Sequence, residues 1–358
     1  MKLSLFNRKP KPTRPLAPSL TQFERRALEL PSGSASPSFA DIAEMERDAM
    51  VQTALTIKKQ AVLAAEFKVV PSSSSVAARR NALFVERCFE LMDGNPRTIL
   101  ADAMDAFARG WSVLELDYML SGDALVLERV SPKNPLHFGL EADAFGRITE
   151  LRMRVPGEDE ITLPRSRFVL FMNRPSFAHP KGRSDLIPAW RHYEAKRALQ
   201  NAWRAHLERF ASPTVLGRYA RGLPSDEQAS VLSALRGLHE NTAVVFPSEI
   251  EVSTLHGRES DNNAFQDAIE FHNREIARSI LGQTLTTDEG RRVGSLALGK
   301  VHLQVLMLQI EAIRRELADV VMTEQVIRPL IELNFGPGDV PRFEFEATPL
   351  SAFRDGVV

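Results

Sequence analysis

The segment Gly294-Ser-Leu-Ala-Leu-Gly-Lys300 fits seven positions of a phosphate-binding loop, G-x-x-x-x-G-K. In such a loop backbone N–H groups cradle the phosphates and the lysine reaches between them. The eighth position is Val301, so the hydroxyl that would hold Mg²⁺ is missing. The residues before it, Thr286 to Val293, are polar and unlike the strand that must aim such a loop. Leu296, Ala297 and Leu298 read instead as the first turn of a helix. The spacing therefore predicts no nucleotide site, and a nucleotide-hydrolysing enzyme rests on this near-match alone. ATP binding abolished by Lys300→Ala would favour it.

The other reactive side chains form no constellation. The histidines at 137, 179, 192, 206, 239, 256, 272 and 302 have no metal-ligand spacing, and no HExxH or G-x-S-x-G pattern occurs. His302 falls near a helix start, where a packed or solvated ring is the simpler reading than one lining a lumen. Glu249 and Glu251 alternate on a strand and read as a solvated face. Cys88 is the single cysteine, which excludes an internal disulfide and suits a reducing cytoplasm. Its helical context predicts a small buried residue, not a nucleophile. We expect no catalysis, no metal and no cofactor.

The most distinctive polar stretch is Thr286-Thr-Asp-Glu-Gly-Arg-Arg-Val-Gly294. Asp288-Glu289 and Arg291-Arg292 are poised to pair between neighbouring copies or to touch phosphates transiently. Gly290 and Gly294 permit movement. The pattern reads either as an ordinary surface connection or, more sharply, as a mobile loop projecting into a channel.

The elements around that loop are long. One helix ends near Leu281. Another runs from about Ser295 past Gln325, with Leu303, Leu306, Ile310, Ile313, Leu317 and Val320 stepping as one buried face. A third, opened by Ser184 or Asp185, runs to about Ala211 before Pro213. Between the last and first of these lies a compact insert. It reads as a strand at Thr214–Tyr219, a helix opened by the capping box Ser225-Asp-Glu-Gln228, and strands at Ala243–Phe246 and Glu249–Thr254. A module inserted between two long helices sits at the tip of a helical hairpin.

Upstream, residues 1–37 are rich in proline and serine and read as an extended or mobile arm, either a disordered tail or an arm that wraps a neighbouring subunit. Helices follow from Ser38 through Met50, over Ala49–Ala64 and over Val76–Met92. A further helix runs from Asn95-Pro96 to Ala108. Strands are expected at Phe67–Val70, Trp111–Tyr118, Leu125–Val130, His137–Leu140, Ile148–Val155 and Phe168–Met172, with a last one at Arg342–Ala347 joining the first domain's sheet. The fold class is α+β. Hydrophobic residues make up 44% and charged residues 25% of 358, which suits two or three domains with a sizeable core. The net charge of −1 argues against tight nucleic-acid gripping, though not against a surface past which DNA slides. No apolar run is long enough to span a membrane.

Ile276-Ala-Arg-Ser-Ile-Leu-Gly-Gln-Thr-Leu-Thr-Thr287, Gly294-Ser-Leu-Ala-Leu-Gly-Lys-Val-His302 and Ile327-Arg-Pro-Leu-Ile-Glu-Leu-Asn-Phe335 resemble the portal proteins of Mu-like tailed bacteriophages. The resemblance continues, more weakly, upstream to about Met50. It implies a homo-oligomeric ring, usually of twelve copies, at one capsid vertex, through which double-stranded DNA enters and leaves. Implied partners are the major capsid protein, the terminase large subunit that supplies ATP hydrolysis, and a head–tail adaptor or neck protein. The location is the virion, with assembly in the host cytoplasm.

On that template 1–37 is the arm and 38–183 the first part of the wing. The stem helices are 184–213 and 261–284, with the clip at 214–260 between them. The tunnel loop is 285–295 and the long wing helix 296–334, with a wing strand and tail at 335–358. The crown found in many portals is expected to be short or absent. The DNA-facing candidates are Thr286, Thr287, Asp288, Glu289, Arg291 and Arg292 of the tunnel loop, with Arg197, Arg204, Arg274 and Arg278 of the stem. Arg218, Arg221, Glu227, Arg236, Glu249 and Glu251 of the clip are candidates for meeting the motor or adaptor. Another head-completion or minor capsid protein is the alternative structural reading.

Overall fold

A computed structural model describes residues 37–142, 148–154, 159–176, 179–210, 214–218, 224–237, 251–255, 259–283 and 296–346. The chain divides into two compact units, 1–188 with 277–358, and 189–276.

In the first unit, α1 (Phe39–Met45) opens with a capping box. The Ser38 hydroxyl accepts from the Asp41 N–H, and the Asp41 carboxylate accepts from the Ser38 N–H. That second bond and the one from the Ser38 hydroxyl hold the Asp41 carboxyl below its usual range. The helix expected to continue through Met50 breaks after Met45. Asp48 restarts it by accepting from Met50 and Val51 N–H, giving α2 (Ala49–Leu63). β1 (Phe67–Val70) stops at Pro71, as expected. α3 (Val76–Leu91) buries Cys88, and burial pushes the thiol up to about 11, so it is inert. Leu83 and Leu91 of the same helix, which the sequence read as apolar positions alongside Cys88, are exposed.

Asn95 caps α4 (Pro96–Ala103), and a break at Met104–Asp105 separates it from α5 (Ala106–Arg109). The sequence had read these as one helix. Gly110, at φ 89°, turns the chain into β2 (Trp111–Ser121). The order continues through β3 (Ala124–Lys133), β4 (Phe138–Ala142), β5 (Ile148–Met153), β6 (Ile161–Leu163) and β7 (Phe168–Met172). β6 had not been anticipated. Two antiparallel three-stranded sheets result, β3-β2-β7 and β4-β5-β6.

Alternation along β7 explains its unbroken apolar sequence. Phe168 and Leu170 join Trp111, Val113 and Leu151 in a core cluster flanked by Phe138, Leu140 and Leu163. Phe171 points the other way, edge-on to Phe107 at 6.5 Å. Both faces are covered, so every residue is apolar. The last strand, β10 (Arg342–Phe345), pairs antiparallel with β1 in a separate two-stranded sheet, with Phe67 stacked on Phe343 at 4.8 Å.

The second unit holds α6 (Trp190–Phe210), β8 (Thr214–Arg218), α7 (Ser225–Gly237), β9 (Glu251–Leu255) and most of α8 (Glu259–Leu281). β8 and β9 are antiparallel and α7 lies against β8. The strand expected at Ala243–Phe246 lies outside the described residues. α6 begins at Trp190, not at Ser184, because Pro188 intervenes and Asp185 is engaged elsewhere.

From Leu296 to Phe335 the chain is helical throughout, as α9 (Leu296–Glu316), a π-helical segment (Leu317–Ile327) and α10 (Arg328–Phe335). The expected stripe holds at Leu306, Ile310 and Leu317 but fails at Val320, which is exposed. The cause is the change of winding. In a π-helix hydrogen bonds join residues five apart, so a turn holds more residues than in an α-helix. Residues recurring every five take over the buried face. Leu317, Met322 and Ile327 form one such row, and Val321, Val326 and Ile331 another, all fully buried. Among the described residues no helix is long and apolar enough to cross a membrane.

Candidate assembly and channel surfaces

Polar side chains of the long helical run tie the strands of the first unit together. Gln325 meets the edge strand β7 as a peptide would. Its Oε1 accepts from the Leu170 N–H at 2.9 Å and its Nε2 donates to the Leu170 carbonyl at 2.9 Å. Arg165, its guanidinium desolvated and its pKa lowered by burial, also donates to Gln325 Oε1. Asn334 does the same to β3, accepting from Leu125 N–H at 2.9 Å and donating to its carbonyl at 2.8 Å. The Thr323 hydroxyl accepts from the Phe343 N–H of β10 at 3.0 Å. Three side chains on one rod thus cap strands of two sheets, leaving fewer open edges.

Gln325→Leu strands both polar groups of Leu170. At about 1–3 kcal/mol for each unsatisfied group, a urea titration should show about 2–6 kcal/mol of lost stability. Gln325→Glu keeps the acceptor, loses the donor, and should fall between the two.

Arg314, 2% exposed, closes the end of α2 by donating to the carbonyls of Ala61 at 2.6 Å and Val62 at 3.0 Å. Arg97 donates to the carbonyls of Leu63 and Ala65. The last turn of α2 has no basic residue of its own, so distant arginines satisfy its carbonyls. α9 is held against α2 in this way, and its remaining surface is left outward. There Val305 is 45% and Leu308 64% exposed. With exposed Ala312 they form a second apolar face, roughly opposite the buried one.

In the second unit α6 and α8 run antiparallel, joined by aromatic and imidazole rings. Trp203 stacks on Phe265 with rings 6.4 Å apart, and His206 lies 5.7 Å from the same ring. Further along, His192 Nδ1 and His272 Nδ1 are 3.1 Å apart. Arg191 Nε donates to His192 Nε2 at 3.3 Å, so His192 carries its proton on Nδ1 and donates it to His272. Burial, Arg191 and His272 lower the His192 pKa, with Glu275 opposing weakly.

A histidine with a depressed folded pKa contributes stability above its unfolded value near 6.5. That contribution is lost as pH falls through the folded value. Thermal melts should therefore drop between pH 7 and pH 5, and His192→Asn should flatten that dependence.

The stem candidates all lie on these two helices. Arg197 and Arg204 stand seven residues apart on α6, and Arg204 is already balanced by Glu208 at 3.0 Å. Arg274 and Arg278 stand four apart on α8, half-buried and exposed respectively. Of the clip candidates, Glu227 is exposed in the first turn of α7, and Arg236 lies on the same helix. Arg218 and Glu251 occupy facing positions in the β8–β9 ladder. Arg221 and Glu249 lie outside the described residues. So do all six tunnel-loop candidates, Thr286, Thr287, Asp288, Glu289, Arg291 and Arg292. Leu296 to Lys300 form the first turns of α9, so the P-loop-like spacing falls on a helix and not on a phosphate cradle. Sequence reasoning did not single out Gln325, Asn334, Arg314 or the His192–His272 pair. The only available signal was polar residues interrupting strongly apolar helical faces.

The model of the family described as the portal protein of Mu bacteriophage matches residues 41–352. Two curated relatives align along most of the chain. The Mu-like prophage FluMu protein gp29 of Haemophilus influenzae is 25% identical over 332 residues, covering 89% of this chain and 62% of that protein. The portal protein of Escherichia phage Mu is 24% identical over 299 residues, covering 81% of this chain and 56% of that protein. The chain therefore spans somewhat over half the length of these relatives. Among solved structures, a chain of the neck of an empty GTA particle, computed with C6 symmetry, superposes with a TM-score of 0.62 at 12% identity. It covers 92% of this chain and 91% of that one. The neck of the native particle, computed with C12 symmetry, gives 0.62 at 11% identity with the same coverage. The mixed helix-and-strand architecture, running through two long helices around a small insert and into a 296–335 rod, is the portal fold, and the chain belongs to the family of the Mu bacteriophage portal protein.

Proposed function

We propose that this chain is the subunit of a portal ring, a channel at one capsid vertex for packaging and ejecting double-stranded DNA and a platform for the head–tail connection. The observation that supports it is the second apolar face of α9, Val305, Leu308 and Ala312, which a single copy leaves in water. Copies standing side by side around a hole would cover it, through a heterologous contact that closes on itself. The C12 and C6 symmetries of the GTA neck structures fit a ring of twelve, the number we propose here.

In this reading 38–183 with 335–358 is the wing. Residues 184–213 and 261–284 are the stem, 214–260 is the clip, 285–295 the tunnel loop and 296–334 the long wing helix. The clip candidates meet a separate terminase during packaging and a neck protein afterwards, and the wing meets the major capsid protein. Assembly takes place in the host cytoplasm and the finished ring sits in the virion.

The mechanism is passive. The chain hydrolyses nothing and holds no cofactor. Its net charge of −1 suits a conduit, because each fixed phosphate contact raises the barrier to sliding. Electron microscopy of the purified protein tests this reading. Rings with a central hole of duplex width are expected. A single compact copy at every concentration would overturn it, as would particles lacking the protein that still fill with DNA.

A further inference from the structure

The first unit carries a cleft of about 520 Å³ that none of the surfaces above uses. Phe39 of α1 forms one wall, Trp111 of β2 lies in the lining, and Pro132, Pro135 and Leu136 line it from the β3–β4 connection. The lip is preformed. Asn134 caps its short 3₁₀ turn by accepting from the Leu136 N–H at 3.1 Å, while Leu136 itself is 59% exposed.

The charges lining the cleft are nearly all engaged. Asp105 pairs with Lys59 at 2.6 Å, Arg109 with Glu46 at 2.8 Å and Lys133 with Glu115 at 3.0 Å. Asp102 is the exception, with no ion pair among the described residues. Its half-buried carboxyl is pushed up by desolvation and by Asp105, with Lys59, already paired to Asp105, opposing. The cleft thus offers Phe39, Pro132 and Leu136 as apolar surface beside an acid that shares Lys59 with Asp105 and holds no ion pair of its own among the described residues.

The chain itself contains a segment of matching chemistry. Its first 20 residues hold Lys2, Arg8, Lys9, Lys11 and Arg14, no acid, and prolines at 10, 12, 15 and 18. Proline spacing of this kind favours the polyproline II conformation, which docks on aromatic-lined grooves at little entropic cost.

We propose that the cleft seats the segment Arg8–Pro18 of a neighbouring copy, its prolines against Phe39, Pro132 and Leu136 and a basic side chain at Asp102. This rests on the ring reading. Arm and cleft are unlike surfaces, so each copy gives one and receives the other, which is the head-to-tail pairing a closed ring requires. Residues 19–36 span up to roughly 60 Å when extended, enough to cross from one copy to the next.

The test places Pro15→Cys and Leu136→Cys in the full chain with Cys88→Ala, then cross-links assembled rings with a short bismaleimide. Expected on a denaturing gel is a ladder of covalent multimers. An added peptide of residues 5–20 should suppress it, and Asp102→Arg should cut it about tenfold, the equivalent of ~1.4 kcal/mol. Rings that form yet give no ladder, or that close the link within one chain, would overturn the arm assignment and leave the portal reading standing. Failure to form rings in the parent protein would sink both.

Discussion

Asp185→Ala is expected to unfold the first unit or to lower its stability by ~3–5 kcal/mol, the cost of breaking a buried ion pair from one side. Asp185 is fully buried and its Oδ2 receives Lys58 Nζ at 2.6 Å, with that lysine 8% exposed. Its Oδ1 receives Asn173 Nδ2 at 2.9 Å and the Arg174 guanidinium. Removing the carboxylate leaves the Lys58 ammonium facing the Phe107 ring 4.4 Å away, with no anion.

The surrounding backbone depends on the same knot. Asp185 N–H donates to the Phe107 carbonyl at 2.8 Å, and Asn173 bridges Gly110 and Arg183. Gly182 sits at φ 81°, where a Cβ would come 2.3 Å from the Gly110 carbonyl oxygen. The knot ends three residues before the second unit begins at Ala189. Chemical denaturation followed by circular dichroism measures the loss. The double variant Lys58→Met with Asp185→Leu removes both charges together and should recover much of it. Equal damage from the double variant would show that packing, not the unpaired ammonium, sets the cost.

Asp185 also shows where the sequence ceased to be legible. An acid shortly before a helical run looks like an N-cap, and local pattern holds no trace of a lysine 127 positions upstream. Features set by neighbours along the chain could be read. These include the helix start at Ser38, the glycine turn at Gly110 and β1 ending at Pro71, whereas the Asp48 cap that divides the first two helices was missed. An unbroken apolar run gave β7, and the period of 3.6 gave the Leu306–Ile310–Leu317 face.

What depends on winding or on distant partners could not be read. The π segment turned Val320 outward, because the stripe was counted at α-helical period. Gln325 and Asn334 looked like polar interruptions, and their role appears only when an edge strand's N–H and C=O lie opposite an amide. Of the site candidates, Arg197, Arg204, Arg274, Arg278, Glu227 and Arg236 lie on helices and Arg218 faces Glu251 across a ladder that spacing alone could not register, while Arg221 and Glu249 lie outside the described residues. The tunnel-loop assignment rests on the family resemblance, and its residues lie outside the described ones.

Leu308→Asp, alone and with Val305→Asp, should abolish ring formation while leaving the fold of each copy intact. The two demands separate cleanly because both side chains are solvent-exposed within one copy, at 64% and 45%. A surface charge there changes stability little. In a ring the same side chains would be covered, and burying a leucine contributes about 1.5–3 kcal/mol per contact. A carboxylate in its place loses that and adds a desolvation cost. Each contact then weakens by tenfold or more, and the loss recurs at every contact around the ring. Size-exclusion chromatography with light scattering should show rings giving way to single copies at unchanged circular dichroism and melting temperature. Ala312→Asp should act alike, being on the same face. Glu311→Gln, beside that face and bonded to Arg314 at 2.6 Å, should leave assembly untouched. Rings that persist with aspartate at 308 would mean that α9 meets solvent or DNA there, and that another surface joins the copies.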